Sequence, residues 1–144
     1  MNLRSKPPAW FWVVVVVLLL WGVMGVVGFY LDLNASPAER ARMDSYDQSL
    51  YANRPAWFIW CYGLAVWSGL IGSALLLARK AAARPIYIVS LIAVVVMFGW
   101  MFVATDIVAH KGLLTAAGFP VVIALLAVAE IWLANHARRR GWIG

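Results

Sequence analysis

Charged residues are scarce in this sequence. Only 12% of its 144 residues are Asp, Glu, Lys or Arg, whereas 65% are hydrophobic. Soluble domains carry about 25% charged and about 45–50% apolar residues. A chain this short has too much surface per unit volume to bury such an excess of apolar side chains. The composition therefore excludes a soluble globular domain, and the apolar residues must face lipid.

Residues that build cross-links, metal centres or catalytic sites are also few. The single cysteine, Cys61, excludes an intrachain disulfide and a CxxC metal site. No pair of histidines falls in facing apolar segments, where it could bind haem. A phosphate-binding glycine loop and an HExxH motif are absent, and no Ser/His/Asp set falls within one membrane leaflet. We therefore expect no enzymatic activity, no cofactor and no metal.

Positive charge exceeds negative charge. The net charge of +6 would suggest a nucleic-acid partner if the protein were soluble. Here the basic residues lie at the ends of apolar segments, where they orient a membrane protein and meet anionic lipid headgroups. The expected partner is a lipid bilayer with anionic headgroups, and no nucleic acid is expected.

Four apolar stretches are long enough to cross a membrane. The hydrocarbon core is about 30 Å thick, which a helix of about 20 residues spans. The stretches run over residues 10–31, 56–78, 86–105 and 113–134. The first is too long for a signal-peptide core and lacks a good cleavage site, so we expect an uncleaved anchor. The predicted fold is all-α, a single integral membrane bundle of four antiparallel transmembrane helices.

Lysine and arginine are distributed unequally between the two sides of this predicted bundle. Eight of the twelve fall in the amino-terminal tail, the turn between spans two and three, and the carboxyl-terminal tail. The positive-inside rule places these segments, and so both termini, in the cytoplasm. The eight residues are Arg4, Lys6, Arg79, Lys80, Arg84, Arg138, Arg139 and Arg140.

The loop over residues 32–55, which this orientation makes periplasmic, is the extended polar segment of the chain. Ser36, Pro37 and Glu39 match a capping box with proline at the first helical position. The pattern predicts a short amphipathic helix from Pro37 to about Tyr51, suited to lie on the membrane surface or on the bundle. Its apolar face carries Met43, Tyr46 and Leu50.

Small residues recur every four positions on the second span. Small side chains on one face allow helix backbones to approach closely, and in lipid such packing replaces the missing hydrophobic driving force. We therefore predict a close helix contact, whose partner lies in the same chain or in another. The helix-packing residues are Cys61, Ala65, Gly69 and Ser73, together with Gly72.

Glu130 is the clearest ionisable residue inside a span. Such residues are costly in lipid and are candidates for function by default. Glu130 precedes Arg138 by eight residues, roughly 12 Å along a helix, which places it a turn or so inside the cytoplasmic interface. We expect it to pair with Arg79, Lys80 or Arg84, or to reach headgroup water; the alternative is a proton or substrate role.

Asp106 and His110 are polar residues near the end of the third span. They are four residues apart, so they share a face if the helix continues that far. Two ligands are too few for a typical zinc site, and Lys111-Gly112 marks a helix end. We expect a solvated pair in the outer leaflet, with a metal or proton-relay site as the alternative.

Residues 55–91 resemble a segment of small bacterial inner-membrane proteins that are often labelled sugar transporters. The resemblance covers about a quarter of the chain. It implies a bacterial inner membrane and transport, but it carries over no substrate-binding residue. The matching positions are Pro55, Trp57, residues 65–69, Gly72, residues 75–77, Arg79, Lys80, Pro85, Ser90 and Leu91.

Two functional hypotheses follow. The leading one is a non-enzymatic accessory or assembly subunit that binds another integral membrane protein, or a second copy of itself, through helix contacts. The alternative is a small, transporter-like protein, oligomeric if a pathway requires it, with Glu130 as its buried polar group. A cavity that reaches Glu130 or the membrane midplane favours the transporter, since an accessory subunit can be packed solid.

Overall fold

All regular structure in the described chain is helical. The computed structural model describes residues 5–144, and no strand occurs within that range. Four of the helices are long and apolar enough to cross a membrane. The predicted all-α bundle of four spans is therefore confirmed, and the protein is a multi-pass membrane protein. The helices are α1 Ala9–Leu33, α2 Pro37–Ala41, α3 Ser45–Ala52, α4 Ala56–Leu77, α5 Ala83–Ala104, α6 Ile107–Lys111 and α7 Leu113–Arg139.

Residues with special backbone requirements set the ends of the long helices. Pro8 and Pro55 adopt extended conformations directly before α1 and α4, where the missing N–H of proline costs nothing. Arg79 follows α4 in the left-handed region, with φ 60°. Gly112, with φ 80°, separates α6 from α7; only glycine takes up such a conformation without strain.

The polar loop contains two helices, so the prediction of one helix from Pro37 to about Tyr51 is wrong. The capping box before α2 is confirmed: Ser36 Oγ accepts the Glu39 N–H at 3.1 Å, and the Glu39 carboxylate accepts the Ser36 N–H at 3.0 Å. The Asp44 carboxylate accepts the N–H of Asp47 at 2.7 Å. Because this second cap starts α3, the chain cannot continue α2 through the same residues.

The four long helices pack against one another in chain order. α1 packs on α4, α4 on α5, and α5 on α7, whereas the backbones of α1 and α7 rarely approach each other. The rings of Trp21 on α1 and Phe119 on α7 meet edge to face, with centroids 6.4 Å apart. A gap between the first and last spans, crossed by aromatic side chains, therefore runs along one side of the bundle.

A hydrophobic core joins all four long helices at one end of the bundle, which we call the closed end. The ring of Trp142 packs against those of Trp10 and Phe11, at centroid distances of 5.4 and 5.5 Å. The carboxyl-terminal tail thus folds back under the helices. The buried residues of the closed end are Phe11, Val15, Leu18, Leu76, Ala83, Tyr87, Leu133, Ala134, Ala137, Trp142 and Ile143.

Hydrogen bonds gather the two tails and the α4–α5 turn at the closed end. The Arg79 guanidinium donates to the carbonyl oxygens of Trp142 and Ser5, both at 2.7 Å. The N–H of Ser5 donates to the carbonyl of Gly141 at 3.0 Å. The three basic segments therefore lie at one end of the bundle, although Arg4 falls outside the described residues.

Candidate functional site

A cavity of about 490 Å³ lies between α1, α4, α5 and α7. Along α4 its lining extends from Phe58 to Gly69, roughly 17 Å at about 1.5 Å per residue. Because the hydrocarbon core is about 30 Å thick, the cavity extends over about half of it. Its volume falls within the range of small-molecule sites, about 300–1,000 Å³.

Glu130 lies at the inner end of this cavity. Its side chain is 4% exposed, and the next turn of α7 carries Leu133 and Ala134 of the closed end. Within residues 5–144 the Glu130 carboxylate has no hydrogen bond or ion pair, and every fully enclosed side-chain oxygen in that range does have a partner. The Glu130 carboxylate therefore faces the space of the cavity.

The expectation that Glu130 pairs with Arg79, Lys80 or Arg84 is wrong. Arg79 binds backbone carbonyls of the two tails, and the other two side chains are exposed. The closed end, with the fully buried ring of Tyr87, lies between the carboxylate and this basic turn. A carboxyl group in such apolar surroundings is stable only if it takes up a proton or a cationic partner.

The cavity walls carry few other polar groups. The Ser90 hydroxyl on α5 donates to the carbonyl of Ala65 on α4 at 2.7 Å, which leaves only acceptor lone pairs for a ligand. Tyr62 on α4 contributes a phenol to the lining. Most of the remaining wall is apolar or aromatic. The aromatic residues of the wall are Trp21, Phe58, Tyr62, Phe98 and Phe119.

An ion pair borders the opposite end of the cavity, which we call the open end. Arg54 lies 3.0 Å from the Asp32 carboxylate, with the two side chains 20% and 25% exposed. The Arg54 guanidinium lies over the rings of Tyr51 and Phe58, at 4.2 and 4.9 Å from their centroids. The cavity thus leads from a partly hydrated ion pair to a buried carboxylate.

Sequence reasoning did not single out Asp32 or Arg54. Their signal was present, because opposite charges directly follow span one and precede span two. Ser90 was visible only as part of a family resemblance, since a lone serine in a span carries no specific signal. Its place in the cavity depends on the rotation of α5 relative to α4.

The small residues of α4 contact α5 of the same chain. The Cys61 thiol donates to the carbonyl of Ala93 at 3.2 Å, and the Ser73 and Tyr87 hydroxyls are 2.7 Å apart. Ala65 accepts the hydrogen bond from Ser90. The helix contact predicted for these residues thus has its partner within the chain.

Gly69 and Gly72 differ in how closely α5 approaches them. A Cβ at Gly72 would lie 2.7 Å from the ring of Tyr87, which is a severe clash. A Cβ at Gly69 would lie 3.4 Å from the Ser90 Oγ, an ordinary contact. Gly72 is therefore the position where the close approach of α5 requires glycine, while Gly69 lines the cavity.

Asp106 directly precedes α6 and His110 lies within that helix, both away from the cavity. The His110 Nε2 is 3.1 Å from the Asp106 carboxylate, and both side chains are at least half exposed. The Tyr46 hydroxyl donates to Asp106 at 2.8 Å, and its ring stacks on His110 with a 4.1 Å centroid distance. No group of three His, Cys, Asp or Glu residues suited to a metal occurs in the part of the chain that the structure describes.

Tyr46, Asp106 and His110, together with Asp47 and Lys111, form a group that we call the outer cluster. This cluster holds α3 against α6. The Lys111 ammonium lies 2.7 Å from the Asp47 carboxylate, and the resulting hydrogen bond raises the pKa of Lys111. The hydrogen bond from Tyr46 lowers the pKa of Asp106. Desolvation, followed by the hydrogen bond to Asp106, raises the pKa of Tyr46 to about 12.

The basic residues around the α4–α5 turn and in the carboxyl-terminal tail lie at the closed end, outside the cavity lining. Arg79 is half-buried by the two tails, whereas the others are exposed and free to meet lipid headgroups. The exposed residues are Lys80, Arg84, Arg138, Arg139 and Arg140.

Comparisons with protein-family models, curated proteins and solved structures find no match to this chain. The resemblance of residues 55–91 to labelled sugar transporters therefore stays a prediction.

Proposed function

We propose that this membrane protein is a small, non-enzymatic, transporter-like protein that binds its substrate in the cavity between its spans. The observation that carries the proposal is the cavity that leads from the Asp32–Arg54 ion pair to the unpaired Glu130. A transport site needs a polar group at depth in the membrane and a route to it from one surface. The Glu130 carboxylate and the cavity supply these two elements.

The accessory-subunit hypothesis is the second candidate. Two features that suggested an external partner have their partner within the chain: the small residues of α4 contact α5, and Tyr46 docks on α6. One observation still favours it: a Cβ at Gly99 or Gly118 would meet nothing within 4 Å. A helix of another protein, or of a second copy, could approach closely at these positions.

Uptake into sealed liposomes tests the transporter. Purified protein is reconstituted, and the uptake of ethidium, glucose and sulfate is measured as a cation, a neutral sugar and an anion. We expect saturable uptake of one class, abolished by Glu130→Gln, which keeps the shape of the side chain and removes its charge. The matched control is Glu39→Gln, since Glu39 lies in the outer loop and glutamine also serves in a capping box.

Two results would count against the transporter. Absence of saturable uptake for all three probes, with correctly folded protein, would favour the accessory subunit, and isolation from native membranes would then identify what co-purifies. Uptake that survives Glu130→Gln would show that the cavity is not the pathway.

We also propose that the closed end faces the cytoplasm of a bacterial cell, with both termini inside. The support is the gathering of the basic segments at that end, together with the positive-inside rule. Single cysteines at Ser5, Ala82 and Ser45 in a Cys61→Ser background test this with a membrane-impermeant thiol reagent. We expect labelling at Ser45 alone in intact cells; labelling at Ser5 or Ala82 would reverse the orientation.

A further inference from the structure

The side chains that line the cavity limit the chemical class of its ligand. The inner end holds a carboxyl group that is 4% exposed and has no partner within residues 5–144. The walls above it are mostly apolar and aromatic. A ligand must therefore carry, at one end, a group that pairs with a single buried carboxyl group. The rest of the ligand must be apolar to match the walls.

We infer that the cavity binds an organic monocation with an aromatic or otherwise apolar body, and that the cationic group sits against Glu130. This inference rests on the proposed function, since it names the substrate class of the same cavity. A cation would supply the partner that the Glu130 carboxylate lacks, in surroundings where screening by water is weak.

The aromatic side chains support the same class of ligand. Five aromatic residues line the cavity, and the faces of such rings attract cations while their surfaces bury apolar groups. The chain already uses this contact at the open end, where the Arg54 guanidinium lies over Phe58. A cation that enters past Asp32 and Arg54 thus meets aromatic walls before it reaches Glu130.

Other ligand classes fit the cavity poorly. A sugar needs hydrogen bonds to several hydroxyls, and the polar side chains beyond the ion pair are only Glu130, Ser90, Tyr62 and the indole N–H of Trp21 among the lining residues. An anion would approach the Glu130 carboxylate, while the Arg54 guanidinium is already bound to Asp32. A divalent cation such as calcium prefers six or more oxygen ligands. Among the lining residues, no second carboxylate lies beside Glu130 at the inner end of the cavity.

Two probes of the same shape and opposite charge test the inference. Equilibrium binding of tetraphenylphosphonium and of tetraphenylborate is measured in separate samples of the purified full chain in nanodiscs, with empty nanodiscs as the reference. We expect saturable binding of the phosphonium, with about one site per chain, and no saturable binding of the borate. Glu130→Gln should weaken phosphonium binding by at least about tenfold, because an ionic partner in a buried site is lost.

Matched variants separate binding from folding. Glu130→Asp keeps the charge and should retain more phosphonium affinity than Glu130→Gln. Ala127→Leu adds bulk inside the cavity one turn before Glu130, whereas Ala129→Leu makes the same change on the exposed face of α7. Only the first of these two should weaken binding, and thermal unfolding checks that each variant is folded.

The outcomes distinguish this inference from the proposed function. Phosphonium binding that depends on Glu130, without uptake of any probe into liposomes, would support the inference and overturn the transporter. Glu130-dependent uptake of glucose or sulfate without phosphonium binding would support the transporter and overturn the inference. Equal binding of the phosphonium and the borate, or unchanged affinity in Glu130→Gln, would overturn the inference.

Discussion

The closed and open ends of the bundle differ in what holds them together. At the closed end all four spans share one core, Tyr87 is fully buried, and Arg79 joins both tails. At the open end the spans separate around a cavity, and a partly exposed ion pair borders it. One short chain thus combines a closely packed base with an accessible interior. Stability should depend mainly on the closed end, and ligand binding on the other.

The largest loss of stability is expected for Gly72→Ala, at the contact between α4 and α5. The new methyl group would lie 2.7 Å from the ring of Tyr87, which is fully buried and cannot move away easily. Overpacking of this kind typically costs about 1–3 kcal/mol. Thermal unfolding of the purified protein in detergent, followed by tryptophan fluorescence, measures the loss.

Gly69→Ala is the matched control, three residues earlier on the same helix. Its methyl group would make an ordinary contact with Ser90, at 3.4 Å, and alanine favours a helix over glycine by up to about 1 kcal/mol. We expect unchanged or slightly higher stability. Equal losses for Gly69→Ala and Gly72→Ala would contradict the contrast between the two ends.

A smaller effect is expected for Tyr87→Phe. The substitution removes the hydrogen bond between the Tyr87 and Ser73 hydroxyls, which are 2.7 Å apart and buried, and such a bond contributes about 1 kcal/mol. Thermal unfolding should show this loss, and Tyr30→Phe, at a 43% exposed side chain, should show none. The double variant with Ser73→Ala should be less destabilised than the sum of the single variants; strict additivity would argue against the bond.

Arg54→Gln should have a still smaller effect on stability. The pair with Asp32 is 20–25% exposed, and ion pairs near water contribute at most about 1 kcal/mol. Chemical unfolding of this variant is compared with that of Arg42→Gln, where the side chain is exposed. A loss as large as that of Gly72→Ala would mean that the open end is structurally as important as the closed end.

The smallest effect on stability is expected from the ionisation of Tyr46 in the outer cluster. Its pKa is raised from 10.0 to about 12, so the phenol binds its proton more tightly when α3 is docked. The resulting stabilisation is complete below pH 10 and is lost as the pH rises towards 12. The ultraviolet absorbance of tyrosinate is measured against pH for the native protein and for Tyr46→Phe. The difference between the two curves should show a transition near pH 12. Titration near pH 10 would show that Tyr46 is not docked on Asp106.

Features that depend on neighbouring residues in the chain were predictable. The four spans follow from local apolar composition, and the cap at Ser36 follows from a four-residue pattern. The break before α3 was also encoded locally, because Asp44 is a favoured N-cap residue. That signal was outweighed by the continuous apolar spacing of Met43, Tyr46 and Leu50, which suggested one helix.

The surroundings of Glu130 were not predictable in the same way. The depth of Glu130 and the free-energy cost of a carboxyl group there are visible from the sequence, which leads us to expect a partner in the nearest basic turn or in headgroup water. The closed end excludes that pairing, because side chains of all four spans fill the space between them. Which side of a helix faces which neighbour depends on rotations that no pattern within a single apolar span specifies.

The sequence by itself determined that this protein crosses a membrane four times, because about 20 apolar residues in a row are stable only as a helix in lipid. It also determined that eight of the twelve basic residues gather in three segments. Only the tertiary structure decided that these segments meet at one end, and that the gap between α1 and α7 leaves a cavity above Glu130. The reason is physical: membrane insertion depends on the composition of each span alone, whereas a cavity depends on how the side chains of several spans fit together.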